Sequence, residues 1–154
     1  MNMKDERQFV GYSKYRSRLV DGHVHTELCP HGSGDRTALM IEKAIELRIE
    51  KVCLTEHAPL PKAFAIEYGG DQKAYDTASL KLNQVDTYLE LGRQLQRAYG
   101  THIDISLRFQ VDYIPGFEAD IQEFLDRYGP LTDDNILSVH FMEGVNNAYY
   151  CLDY

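Results

Sequence analysis

The chain alternates between short apolar segments typical of β-strands and longer segments with helical periodicity. The strand-like segments are, in order, Arg18 to His25, Lys51 to His57, Ile103 to Asp112 and Asn135 to Phe141. The helical segments are Asp35 to Ile49, Ala74 to Tyr99 and Glu118 to Tyr128. Repeated strand–helix units favour a mainly parallel sheet with right-handed crossover connections. The sequence therefore predicts an α/β fold.

The ends of the helical segments carry their own signals. Asp35 is expected to cap the first helix with its side chain. Gly100 and the pair Gly129-Pro130 are expected to end the second and third helices. Pro59 to Asp71 is predicted to be a loop.

The length of the chain limits how much of a closed fold it can form. Its 154 residues fit one domain. Four strand–helix units amount to about half of a (β/α) barrel, which typically needs about 250 residues. The final residues, Tyr149 to Tyr154, are aromatic and apolar, whereas chain ends usually become polar. We therefore expect a partial (β/α) barrel, with residues 1–154 forming a single domain that is incomplete at its C-terminus.

Composition and charge exclude several classes of protein. The net charge of −8 argues against nucleic acid or an anionic membrane as a partner, although bound cations can still attract an anionic small molecule. No apolar run reaches the about 18 residues needed to span a bilayer. The polar N-terminus lacks the apolar segment of a signal peptide. The three cysteines are too few and too widely spaced for a disulfide scaffold. These features predict a cytoplasmic protein.

Each predicted strand finishes on side chains that can bind a metal ion. The residues are His23 and His25 in the first strand, His57 in the second, Gln110 and Asp112 in the third, and His140 in the fourth. The carboxyl ends of parallel strands share one face of the sheet, where active sites form. His31, in the loop after the first strand, can lean over the same face. The pattern predicts a site for divalent transition metals.

Other candidate residues near these strands are given different interpretations. His102 begins the third strand, so we expect it at the opposite, structural face. Cys53 is interpreted as a small core residue. For Cys29 a zinc-binding thiolate is the minor interpretation. Glu56 is expected to support a metal ligand or to face solvent, rather than to bind metal directly.

The motifs together resemble one protein family. They are, in order, Asp21-Gly22-His23-Val24-His25-Thr26, Cys29-Pro30-His31-Gly32, Thr55-Glu56-His57-Ala58-Pro59-Leu60-Pro61, Val111-Asp112-Tyr113-Ile114 and Leu137-Ser138-Val139-His140-Phe141. The set resembles the PHP (polymerase and histidinol phosphatase) family, in its bacterial histidinol-phosphatase branch. The resemblance extends from about Arg18 to Tyr154 and implies the N-terminal portion of a distorted (β/α)7 barrel.

The resemblance also implies a cofactor and a reaction. It implies up to three divalent metals (zinc, manganese or iron) and hydrolysis of L-histidinol phosphate, a small phosphorylated substrate of histidine biosynthesis. Carried over by position, His23 and His25 would bind one metal, His31 and His57 would help to bind a second, and His140 a third.

The chain departs from the family pattern in two respects. The family places a bridging glutamate where this chain has Gln110, whose neutral amide is a poorer ligand, so weaker metal binding or a lower rate is expected. Asp112 faces the same side and is a candidate to support the site. The family's later histidine and Asp-x-His ligands lie downstream of the region present here.

These departures leave three functional hypotheses open. The first is a histidinol-phosphatase-type metallophosphoesterase. The second is a truncated or degenerate domain that binds metal or a partner without catalysis and self-associates through an open barrel edge. The third is a PHP nuclease domain, which the acidic charge and the absence of a basic stripe disfavour.

Overall fold

A computed structural model describes residues 19–145 and 148–152 of the chain. Its main sheet has four parallel strands in the order β1-β2-β3-β4. The strands are β1 (Val20–Val24), β2 (Lys51–His57), β3 (Asp104–Asp112) and β4 (Asp134–Ser138). The predicted α/β fold with a parallel sheet is confirmed. Arg18 and the polar N-terminal residues lie outside the described part.

Five α-helices are described in this part of the chain, and four of them lie in the connections between β1 and β3. They are α1 (Thr37–Glu46), α2 (Phe64–Glu67), α3 (Gln72–Thr77), α4 (Val85–Tyr99) and α5 (Glu118–Tyr128). Short 3-10 turns cover Leu82–Gln84 and Gly129–Leu131. The prediction for α5 is confirmed residue for residue. In the described ranges, no helix combines the length and apolar character that crossing a membrane requires.

The predicted cap of α1 is wrong. Arg36, and not Asp35, occupies the N-cap position, and its side chain makes no capping hydrogen bond. The carboxylate of Glu27 supplies the missing acceptor, since its Oε2 accepts from the backbone N of Thr37 at 2.6 Å and also from the Thr37 hydroxyl. The loop after β1 is thereby fixed to the start of α1.

The prediction of one long helix from Ala74 to Tyr99 is also wrong. The chain leaves α3 after Thr77 and becomes extended at Lys81, and α4 begins only at Val85. The reason is that Leu80 is fully buried and its backbone N donates to the carbonyl of His57 at 3.3 Å. The connection is thereby held at the end of β2. The predicted loop before it contains α2, whose Phe64 is fully buried.

The fourth predicted strand ends earlier than expected. β4 stops at Ser138, and Phe141 instead begins β5 (Phe141–Glu143), which pairs antiparallel with β6 (Tyr149–Cys151) in a separate sheet. Two interactions redirect the chain: the backbone N of His140 donates to Asp112 Oδ1 at 3.2 Å, and the Phe141 side chain is completely buried. His140 therefore lies in the connection between the two sheets.

The core consists of two clusters. The larger lies between the sheet and helices α1, α4 and α5, where Gly92 of α4 allows close contact with Leu107 of β3. The smaller is aromatic and joins α2 to the β5–β6 hairpin through Phe64, Phe141 and Tyr149. The aromatic residues near the end of the chain are thus partly explained by packing. Polar side chains lie at the carboxyl edge of the sheet, outside both clusters.

Candidate metal centre

The predicted ligands converge at the carboxyl edge of the sheet. His23 is in β1, His25 follows it, His57 is the last residue of β2, and His140 lies two residues after β4. The ring centroids of His25 and His57 are 4.4 Å apart, and those of His57 and His140 are 5.4 Å apart. His31 reaches the same place from its loop, 5.0 Å from the His57 ring. The structure therefore places five of the six histidines in one cluster.

Gln110 lies between the first and last of these rings. Its Oε1 is 2.7 Å from His23 Nε2, and its Nε2 is 3.3 Å from His140 Nε2. It pairs with His57 across the sheet and is buried. Gln110, which was expected to replace a bridging glutamate, thus contacts rings from both edge strands of the sheet.

Two carboxylates orient two of the rings. Asp112 Oδ1 accepts from His140 Nδ1 at 2.7 Å, and Glu56 Oε1 accepts from His25 Nδ1 at 3.2 Å. Because a carboxylate only accepts, each of these Nδ1 atoms carries a proton, and in the neutral ring Nε2 is left with a lone pair. This is the arrangement by which carboxylates orient metal-binding histidines.

Both carboxylates are themselves fixed by hydrogen bonds. Glu56 Oε2 accepts from the backbone N and the hydroxyl of Thr26 at 2.9 and 2.6 Å, and Ser138 Oγ donates to Asp112 at 2.9 Å. Glu56 is completely buried, so the alternative that it faces solvent is wrong. Burial would raise the pKa of Glu56, but the hydrogen bonds from His25 and Thr26 outweigh it and lower the pKa.

His25 and His57 differ in their protonation behaviour although their rings are stacked. Burial would lower the pKa of His25, but contacts with Cys29 and Glu56 outweigh it and raise the pKa to about 9. Burial and the neighbouring His25 and His31 lower the pKa of His57 to about 3. His57 is therefore neutral and offers a lone pair. Its Nδ1 is buried without a hydrogen-bond partner among the described residues.

His31 is exposed, and its orientation is set by the backbone. Its Nδ1 donates to the Thr77 carbonyl at 2.8 Å, at the end of α3. Since Nδ1 carries the proton in this hydrogen bond, Nε2 of the neutral ring holds the lone pair. His102, by contrast, is exposed just before β3, at the opposite edge of the sheet, as expected.

The donor set fits divalent transition metals. His23 Nε2 and His25 Nε2 are 3.2 Å apart, close to the about 3.3 Å expected for two imidazole nitrogens on one tetrahedral zinc. Two N–H groups cannot face each other at this distance, so at most one proton lies between the two rings. The orphaned Nδ1 of the buried His57 is a second indication, because buried polar atoms normally have partners.

Two compact ligand groups are present in the described residues, and each contains a residue other than histidine. The ligand atoms of His57, Asp112 and His140 lie within 4.8 Å of one another, as do those of His25, Cys29 and His57. Asp112 was predicted both as a side chain that can bind metal and as a support for the site, and a zinc-binding thiolate was the minor interpretation of Cys29. Spacing alone could not favour Cys29, because its approach depends on the turn that follows β1.

Comparison with known proteins identifies the family of the chain. The PHP domain model matches residues 21–153. The histidinol-phosphatase of Bacillus subtilis is 40% identical over 134 residues, which are 87% of this chain and 48% of the relative. A Deinococcus radiodurans protein named "Probable histidinol-phosphatase" is 25% identical over 138 residues, covering 88% and 48% of the two chains. The chain thus spans about half the length of the curated relatives it matches.

A solved structure extends the likeness to three dimensions. The crystal structure of hisK from Listeria monocytogenes, which carries a histidinol-phosphatase assignment, matches with a TM-score of 0.84 and 39% identity. The match covers 88% of this chain and 49% of that protein. Four parallel strands and their helices therefore correspond to about half of that fold, which confirms the predicted partial barrel. With five histidines gathered at the carboxyl edge of this half-barrel, the chain belongs to the PHP domain family.

Proposed function

We propose that the chain supplies the N-terminal metal-binding portion of a metallophosphoesterase that hydrolyses L-histidinol phosphate to L-histidinol and phosphate. One observation carries the proposal: His23, His25, His31, His57 and His140 converge on one edge of the sheet around Gln110. The relatives named as histidinol-phosphatases support the substrate class.

The ligand assignment is carried over by position from the family that the chain resembles, and the proximity of the rings supports it. His23 and His25 would hold one divalent ion, His31 and His57 would help to hold a second, and His140 would hold a third, the ions being zinc, manganese or iron. Gln110 is a weak neutral ligand or a hydrogen-bonding spacer between them. Glu56 and Asp112 keep the Nε2 atoms of His25 and His140 aimed into the centre. When bound, the cations supply charge that stabilises phosphoryl oxygens and a leaving alkoxide, and they acidify water.

The remaining parts of the proposal concern the cellular setting. We place the protein in the cytoplasm and in histidine biosynthesis, with a small phosphorylated substrate and with no nucleic-acid or membrane partner. β1 and β4 are the edge strands of the described sheet, and Val20 and Leu137 on them are 52% and 69% exposed. We expect self-association through these edges. A monomer with a cooperative melt in size-exclusion and thermal experiments would contradict that expectation.

The test measures metal content and phosphate release separately. After dialysis against Mn²⁺ or Zn²⁺, elemental analysis should find bound metal, and L-histidinol phosphate should release phosphate. EDTA or His23→Ala should abolish the release, whereas His102→Ala, an exposed histidine outside the cluster, should not. A chain without bound metal would overturn the proposal. Metal binding without phosphate release would instead indicate the non-catalytic metal-binding domain.

A further inference from the structure

The turn after β1 brings a buried thiol into the histidine cluster. Cys29 is 7% exposed, and it is a free cysteine. Its sulfur and one ring nitrogen each of His25 and His57 lie within 4.8 Å of one another. Cysteine sulfur and two imidazole nitrogens are a ligand set used by zinc.

The backbone around Cys29 holds the thiol in this position. The N–H of Cys29 donates to the Thr26 carbonyl at 3.0 Å, and Gly32 N–H donates to the Cys29 carbonyl at 3.1 Å. Thr26 in turn donates twice to the buried Glu56. A Cβ at position 32 would lie 3.2 Å from Cys29 Cβ, so the glycine allows the turn to close tightly on the thiol. The same turn carries His31 to the cluster.

Cys53 is an example of a thiol with a purely structural role, and its surroundings differ from those of Cys29. It is 1% exposed within β2, and burial raises the pKa of its thiol. In the described ranges, the compact ligand groups include Cys29 but neither Cys53 nor Cys151. The buried Nδ1 of His57, which has no partner in the described structure, belongs to a residue of the same group as Cys29.

We infer that Cys29 is a direct thiolate ligand of the ion that His57 helps to hold, which makes this position of the centre zinc-selective. The inference rests on the proposed function. Binding releases the thiol proton to solvent, since the thiolate is the ligand form. A soft thiolate favours zinc over manganese, so this position discriminates between the two metals. The other compact group that contains His57 is formed with Asp112 and His140 and does not include Cys29.

Cobalt substitution tests the inference without an activity assay. The Co²⁺-loaded chain should show a thiolate-to-cobalt charge-transfer band in the near ultraviolet. Cys29→Ser should lose this band, whereas the matched buried control Cys53→Ser should keep it. Cobalt that binds to the native chain without the band would overturn the inference and leave the metal centre intact. A chain that binds no cobalt would overturn both.

Metal affinities separate ligation from a packing role. Cys29→Ser should weaken Zn²⁺ binding by more than the roughly 10–100-fold typical of changes to residues that only orient a ligand. Mn²⁺ binding should stay near the native value. Equal losses for the two metals would refute the inference. If Cys29→Ser fails to fold, X-ray absorption of the zinc-loaded native chain and of Cys53→Ser decides, because ligation requires a sulfur at about 2.3 Å in both.

Discussion

Replacing Glu56 with glutamine tests how the buried carboxylate holds the centre together. Each carboxylate oxygen accepts from two donors: Oε1 from His25 Nδ1 and His57 N, and Oε2 from the N–H and hydroxyl of Thr26. In Glu56→Gln one oxygen becomes an amide NH₂. The His25 ring or the Thr26 hydroxyl can change from donor to acceptor, but a backbone N–H cannot. An amide nitrogen at the Oε1 position therefore faces the N–H of His57, and one at the Oε2 position faces the N–H of Thr26.

The magnitude follows from these contacts. A buried N–H without an acceptor costs about 1–3 kcal/mol, and the loss of charge-assisted hydrogen bonds adds to this cost. We therefore expect Glu56→Gln to reduce the unfolding free energy of the metal-free chain by about 2–4 kcal/mol at neutral pH. The measurement is urea denaturation followed by circular dichroism. Glu123→Gln, on the exposed face of α5, is the matched control. A difference from the native chain below about 0.5 kcal/mol, the range of surface substitutions, refutes the reasoning.

The pH dependence gives the same prediction a second readout. The pKa of Glu56 is lowered in the folded chain, so its ionised form contributes stability that is complete above the ordinary value of 4.5. This contribution is lost as the pH falls through the lowered folded value. Because Glu56 also helps to raise the pKa of His25, whose contribution is complete only below 6.5, the gap between the native chain and Glu56→Gln should be constant from about pH 6.5 down to about 4.5 and close below it. A gap that widens in acid would show that the carboxylate is not ionised in the fold.

Three further substitutions test other parts of the structure. Gly92→Ala should lower stability by about 1–3 kcal/mol in thermal melts, because the new Cβ would lie 2.4 Å from Leu107 Cδ1; an unchanged melt would contradict the packing of α4 on β3. Glu27→Gln should lower the unfolding free energy by about 1 kcal/mol, because a neutral amide oxygen replaces the charged acceptor at Thr37, and the difference should vanish in acid because the pKa of Glu27 is lowered. Gln110→Glu should raise Mn²⁺ affinity in chelator competition, since a carboxylate adds charge between the cations; equal or weaker affinity would show that the amide is only a spacer.

The sequence predicted the elements whose signals are local. β2 and α5 were predicted with their observed bounds, because an apolar run ending in a polar residue and a helical stripe ending at Gly129-Pro130 are complete within themselves. The convergence of His23, His57 and His140 followed from parallel topology alone, since all three lie at or near the carboxyl ends of strands.

The errors occurred where tertiary contacts override local preference. The helical pattern across residues 78–84 is interrupted because Leu80 is buried and its N–H bonds to the end of β2. Asp35 has the side chain of a capping residue, but Glu27 reaches the helix from the preceding loop. Cys29 is adjacent to the histidines only because its turn folds back, and no periodicity encodes that approach.

The side-chain amide of Gln110 presents different atoms to the two sides of the histidine cluster. Asp112 accepts from His140 Nδ1, so Nε2 of that ring is the atom that faces the Gln110 NH₂, and the amide oxygen then faces His23 Nε2. Because the amide group is rigid and planar, it can exchange these two contacts only by turning over as a whole. An ion that displaced the amide from one ring would therefore alter its contact with the other, which couples the two edge strands of the sheet through one side chain.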